Sequence, residues 1–420
     1  MNLSSRLKRI RTIGKQGSFS ENIEQNTSRA ASAYSLLREH SFKDVDFMTL
    51  RRTVSAAVSE PLDPVFPETL FAMIPGLAGK VPALKAENLI FFDLETTGLS
   101  GGAGTVAFLA AFGRFENGVY DTIKIDQYLL LDYPGEAGFL RQILQMFSLK
   151  NSTDPPVIVS YNGKSFDSQI INNRYLIHGM RPPVFYHADL LYTARSLWKK
   201  TLPSCSQSEI EKSILKIERK NDIPGCRAPD IWFSFLKTNA DSELSGVCGH
   251  NILDIAGLAS MFSVFNSIAH DPVCYVEKYG ADAETLALRI RKYRRTRRGN
   301  PSGELLETEN ALLEKAARSG APLAAFLLGK DLLRNKRYRE ARHILGRLAE
   351  RKDTALSAVA DRALAIDSEW RLKDAELALF YTERALSSTY TNISLKTDLL
   401  KRRERLLRRP SQSGFMFMAN

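Results

Sequence analysis

The stretch Phe-Phe-Asp-Leu-Glu-Thr-Thr-Gly, residues 91–98, decides the fold. It closes an apolar run that begins at Asn88 and reads as a β-strand, in which alternate side chains share a face. Asp93 and Glu95 stand at i and i+2, so both carboxylates leave the strand on the same side. Two acids held together at the end of a buried strand repel each other unless a cation sits between them. Hard oxygen ligands of this kind suit Mg²⁺ or Mn²⁺. A D-x-E pair on its own reads as a strand end turned to solvent, and two further stretches decide against that reading.

Around this strand the pattern is β-rich, then mixed. Asn88 to Glu95, Thr105 to Phe115 and Val119 to Leu131 read as strands, joined by the turns TTGLSGGAG and ENG. A helix near 135–149, a strand Val157 to Tyr161, a helix over 165–178 and a strand Val184 to Ala188 follow. Helices near 189–199, 207–217 and 242–264 complete the set. A meander followed by alternating helices and strands predicts an α/β domain over residues 86–267, a mixed sheet with helices on its faces.

The second acidic stretch is YNGKSFD, residues 161–167, where Asn-Gly makes a turn and Asp167 either opens a helix or joins the acid pair. The third is GHNILDIAGL, residues 249–258, with His250 and Asp254 at i and i+4 on one helix face. Val247, Ile255, Leu258 and Phe262 define an apolar stripe, with Asp254 inside it and His250 at its edge. Turning even a neutral polar group toward a core costs on the order of 2–7 kcal/mol unless it is satisfied. A carboxylate there calls for a partner or a metal.

The ordered set D-x-E, N-x3-F-D and H-x3-D resembles the three exonuclease motifs of the DEDD, DnaQ-like branch of the ribonuclease-H-like superfamily. LSGGAGTVAFLAAFG, the DIPG stretch at 222–225 and the HN-x2-D ending are similar, more narrowly, to the YprB-like group, whose members add a tetratricopeptide-like C-terminal region. The resemblance implies a ribonuclease-H-like sheet gathering Asp93, Glu95, Asp167 and Asp254 around two Mg²⁺ or Mn²⁺ ions. It implies 3′→5′ hydrolysis of single-stranded DNA or RNA by a two-metal mechanism, in which paired ions clamp the attacking and leaving oxygens. His250 would take the proton of the attacking water. Asn162 and Phe166 would line the terminal nucleotide, Phe166 by stacking, with Thr96 and Lys164 as further substrate contacts. Asp189, in HADLL, reads as a helix N-cap in preference to a supporting carboxylate.

One spacing departs from the family pattern. Three residues separate His250 from Asp254 where the histidine-type enzymes usually show four, a change that swings the imidazole by about 100° on a helix. The departure opens a second reading, a non-catalytic nucleic-acid adaptor with a helical protein-binding region.

Composition sets the outer bounds. The 420 residues carry 58 Lys plus Arg against 47 Asp plus Glu, net +11, and 44% are hydrophobic, too many for a wholly disordered chain. The longest apolar run noted, Val106 to Phe112, is seven residues, so no membrane span is expected. The basic start lacks the apolar core of a secretory signal. Cys205, Cys226, Cys248 and Cys274 are too scattered for a disulfide framework or zinc knuckle, and a reducing cytoplasm is expected. Positive charge concentrates as +5 in residues 1–15, +7 in 289–298 and +5 in 401–409. Such clusters fit either phosphate contacts or solvated linkers and tails. The expected organisation is therefore a partly helical or irregular leader, 1–85, the sheet domain, a basic linker, 268–303, a helical tetratricopeptide-like region, 304–409, and a tail, 410–420. A weak repeat, 336–350 against 372–386 with Ala341 and Ala378 in the small-residue slot, fits tetratricopeptide-like helix pairs and a plain helical bundle about equally.

Overall fold

The computed structural model describes residues 34–77, 84–98, 104–116, 118–149, 155–220, 222–296, 303–351 and 353–408. Residues 1–33 of the expected leader, the basic start among them, the glycine-rich turn after Gly98 and the tail lie outside the described residues. The chain divides into two units, Met1–Asp271 and Pro272–Asn420.

The first unit is built on a seven-stranded sheet. In chain order the elements are α1 (Ser35–Glu39), β1 (Lys43–Asp46), β2 (Thr49–Ala57), α2 (Glu68–Met73), β3 (Leu89–Thr96), β4 (Ala107–Glu116) and β5 (Val119–Leu130). There follow α3 (Glu136–Leu144), β6 (Val157–Ser160), α4 (Asp167–Ile177), β7 (Tyr186–Asp189), α5 (Leu190–Trp198), α6 (Gln207–Ile210), α7 (Ala228–Thr238) and α8 (Ser242–His270). The strand order is β1-β2-β5-β4-β3-β6-β7. β1 to β3 pair antiparallel through β2, β5 and β4, while β3, β6 and β7 run parallel. The meander and the alternating second half agree with the expected mixed sheet.

β3 is central and covered on both sides. Phe91 meets Phe262 of α8 edge-on at 5.9 Å on one face, and Phe92 meets Phe147 at 5.3 Å on the other. That double burial explains the continuous apolar run. α8 is the core helix: Val247, Ile255, Leu258 and Phe262 are all at most 1% exposed. By length and composition it could cross a membrane, but 72% of its apolar window is buried inside the fold. Each large side chain so buried contributes roughly 1.5–3 kcal/mol.

Two features differ from the sequence expectation. The leader supplies β1 and β2, which extend the sheet beyond β5. α7 was not expected either; it is anchored by Trp232, fully buried, stacked on Phe108 at 5.3 Å and donating to the Leu130 carbonyl at 3.0 Å.

The second unit is all-helical among its described residues: α9 (Pro272–Lys278), α10 (Ala283–Thr296), α11 (Gly303–Arg318), α12 (Pro322–Arg334), α13 (Tyr338–Ala349), α14 (Leu356–Asp367), α15 (Ala375–Ser387) and α16 (Ile393–Leu407). Much of the expected basic linker is thus helix, and its charge has partners. Arg291, 6% exposed, reaches Glu309 and Asp331, and Arg294 reaches the other oxygen of Glu309 at 2.8 Å. In the 401–409 cluster Arg402 and Arg405 both hold Glu369. These arginines are internal ties between helices, a role that counting charge could not distinguish from phosphate contacts or linkers. Ala341 and Ala378 are both fully buried, as a small-residue slot requires.

Candidate metal centre

The period of β3 puts Phe91, Asp93 and Glu95 on the face that α8 covers. Across the sheet the register aligns Asp93 with Ala111 of β4, Ala111 with Gln127 of β5, and Gln127 with Arg52 of β2. Ala111 is small, so a gap opens in this row, and Asn251 of α8 fills it. Asn251 donates to Asp93 Oδ2 at 2.7 Å and accepts from Gln127 Nε2 at 2.7 Å. Gln127 in turn accepts from Arg52 Nε at 2.7 Å. Asn251 and Gln127 are completely buried, so the relay is fixed by the sheet register and not by solvent.

Glu95, His250 and Asp254 each present a ligand atom within 4.8 Å of the others. Burial pushes the Asp93 carboxyl well above its ordinary range, and the charges of Asp254, Asp167 and Glu95 push it further. Glu95 is raised in the same way, by burial and then by Asp254 and Asp167. Asp167, the first residue of α4 and 5% exposed, is pushed up to about 7 by burial and by Asp189. Three motifs from distant stretches therefore lie within one electrostatic cluster.

The loop before α4 is held by Asp189, which caps α5 through Leu191 N and also accepts from Asn162 N at 2.9 Å and Lys164 N at 3.1 Å. Asn162 takes a left-handed backbone, φ 64°, one that asparagine tolerates better than most residues. Gly163 sits tightly beneath it: a Cβ there would come within 2.8 Å of Asp167 Oδ2. The side chains of Asn162 and Lys164 are exposed and Phe166 is partly buried at the N-cap of α4. Thr96 is buried and donates to the Gly98 carbonyl at 2.8 Å.

The segment after α6 adds residues that the acidic motifs do not include. Arg219 donates to Glu211 through Nε at 2.6 Å, to Asp254 Oδ1 at 2.6 Å and to Asp222 Oδ2 at 3.1 Å. Asp222 Oδ1 lies 2.7 Å from His250 Nδ1, while His250 Nε2 faces Asp254 Oδ2 at 3.2 Å. Glu211 is 1% exposed and packs over Gly257 of α8, where a Cβ would stand 2.0 Å from its Oε1. Burial raises the Asp222 carboxyl, but hydrogen bonds from His250 and Arg219 outweigh it and the net shift is downward. The DIPG stretch gave the only sequence signal for Asp222; Arg219 had none.

The donor set fits a divalent cation. It is carboxylate oxygen with one imidazole, Glu95 and Asp167 buried and His250 and Asp254 partly so, and among the described residues no Lys or Arg pairs with Asp93, Glu95 or Asp167, while Asp254 carries Arg219.

Residues 90–266 match the family described as the RNase_H superfamily. Over 200 residues the chain is 39% identical to the uncharacterized protein YprB of Bacillus subtilis, covering 46% of each chain. It thus spans about half the length of that curated relative. A solved structure of exonuclease I, described as suggesting how processivity is achieved, aligns with a TM-score of 0.30 at 13% identity, covering 76% of this chain and 90% of that one.

Proposed function

We propose that this chain is a divalent-metal-dependent nuclease that removes nucleotides 3′→5′ from single-stranded DNA or RNA. The reading is carried by the cluster of Asp93, Glu95, Asp167 and Asp254 beside His250, in which the burial of Asp93, Glu95 and Asp167 is unfavourable without added positive charge. These four carboxylates would hold two Mg²⁺ or Mn²⁺ ions, which when bound stabilise charge on the phosphodiester oxygens. His250 Nε2, on the side of the acids, would accept the proton of the attacking water. Phe166 would stack on the terminal base, and Asn162 and Lys164, held at their backbones by Asp189, would meet the strand. Thr96 serves by holding Gly98 close to the end of β3.

The test is release of nucleotides from end-labelled DNA and RNA oligonucleotides with Mg²⁺ or Mn²⁺. Stepwise loss from the 3′ end, absent in Asp93→Ala and absent on a circular strand, is expected. Internal cuts alone, or full activity in Asp93→Ala, would overturn it.

Arg219 on Asp254 favours a second reading, a non-catalytic nucleic-acid adaptor in which an internal cation stands where an ion would bind. Calorimetric titration separates the two: uptake of two Mn²⁺ that is lost in Asp93→Ala supports the nuclease, and no uptake supports the adaptor. In either case we read the helical unit as a tetratricopeptide-like, protein-binding region, and the whole as cytoplasmic.

A further inference from the structure

A helix fixes where His250 starts but not where its ring points. One turn from Asp254, the imidazole could rotate about χ1 and χ2 away from the acids. Three observations show what holds it. Asp222 Oδ1 lies 2.7 Å from Nδ1. Arg219 fixes the other oxygen of Asp222 at 3.1 Å and is itself held by the buried Glu211. Gly225, from the same loop, leaves the space before Nε2 open, since a Cβ there would stand 3.1 Å from that nitrogen.

We propose that Asp222 is the positioning residue of His250: it binds the ring at Nδ1, so that Nε2 is aimed at the acid cluster, and Gly225 keeps that nitrogen accessible. The inference rests on the nuclease reading for its catalytic consequence, but not for its geometry. Two carboxylates and one guanidinium face the ring: Asp222 Oδ1 is nearest Nδ1 at 2.7 Å, inside Arg219 Nη1 at 3.4 Å, while Asp254 Oδ2 stands farther from Nε2 at 3.2 Å, so the shorter carboxylate contact holds the proton of the neutral ring on Nδ1 and leaves the lone pair on Nε2. The unusual three-residue spacing is thereby accommodated, because the ring takes its direction from Asp222, itself held by Arg219, and not from the pitch of α8 alone.

The full-length chain tests this with two readouts. The first is the tautomer of His250 in metal-free protein, read by long-range proton–nitrogen NMR at a pH high enough that its signals no longer move with pH, and assigned by the loss of those signals in His250→Gln. The wild type is expected in the Nδ1–H form. Asp222→Ala is expected to move it toward the Nε2–H form that free imidazole side chains favour, and Asp222→Asn, which keeps an acceptor oxygen, to retain Nδ1–H. The second readout is nucleotide release. Asp222→Ala should lower kcat on the order of 10–100-fold with KM within about twofold and Mn²⁺ uptake unchanged, and Asp222→Asn should recover most of the loss. If Asp222→Ala does not fold, Asp222→Ser, too short to reach the ring, carries the same test. An Nε2–H wild type, or a variant whose tautomer and kcat are both unchanged, overturns the proposal. A wild type that releases no nucleotide overturns the nuclease reading instead, and the NMR result still decides the role of Asp222.

Discussion

Both units bury carboxylates against arginine, and the sheet unit also buries carboxylates against one another. In the helical unit Glu309 lies between Arg291 and Arg294, Glu369 between Arg402 and Arg405, and Asp361 against Arg384 at 2.5 Å. All three acids are at most 2% exposed. In the sheet unit Glu95 and Asp167 are almost as deeply buried, yet they face other acids, and Asp93 receives only the amide of Asn251. A buried charge matched by an arginine is complete as the chain folds. One matched by more negative charge stores repulsion that only something added can relieve. The first kind ties helices together; the second defines a site.

The contrast can be broken by measurement, and its largest consequence concerns activity. Asp93→Asn should reduce nucleotide release on the order of 10³-fold, about 4 kcal/mol in the barrier, while oligonucleotide binding in chelator stays close to wild type. Retained release would make the cluster incidental.

Stability gives the next effect. Glu369→Gln leaves Arg402 buried against a neutral partner and should cost about 3–5 kcal/mol in urea unfolding. Glu95→Gln removes one of several repelling charges and should stabilise the metal-free chain. If both substitutions destabilised equally, the two kinds of buried acid would be the same kind.

Metal and pH sharpen the distinction further. Mg²⁺ at a hundred times its Kd should stabilise the wild type by about 2.7 kcal/mol and Glu95→Gln by less, read as the shift in Tm against chelator. Asp167 is raised in the fold from the ordinary 3.8 to about 7. The folded state therefore binds more protons than the unfolded state between those values, and stability falls as pH rises through that window. The metal-free chain should lose stability from about pH 4 to pH 7, and saturating Mg²⁺ should flatten that slope. A slope of opposite sign would mean that Asp167 is stabilised as an anion by something other than metal. The smallest effect belongs to the exposed pair Arg403–Glu383, where Arg403→Ala should change stability by under about 1 kcal/mol.

Much of the site was legible because it obeys local periods. The i, i+2 spacing in β3 and the i, i+4 spacing in α8 fix which side chains share a face, whatever the rest of the chain does. Asp167 was legible as the start of a helix after a turn. Arg219 was not: it joins Glu211, Asp222 and Asp254 through a loop, and no periodicity links those four positions. Nor was Asn251 as the bridge to Asp93, since its place depends on Ala111 being small in a neighbouring strand. β1 and β2 were missed because KDVD and TLRRTVSAA dilute the apolar alternation with charge, and Arg52 hides its charge over the ring of Phe42 at 4.6 Å. The linker expectation failed for a related reason. Charge density along the chain says nothing of Glu309 and Asp331, which lie 18 and 40 positions from Arg291.

The pairing of β2 with β5 bears on anyone who would trim this protein to residues 90–266. Cutting there strips a nine-residue neighbour from β5 and bares a long row of unpaired amides and carbonyls beside Ile123 and Ile125. Such an edge invites other chains to add on, so the shortened fragment should precipitate where the longer one stays dispersed. The cut also removes Arg52, the far end of the relay that reaches Asp93, so a soluble remnant would carry its acids on a slackened frame.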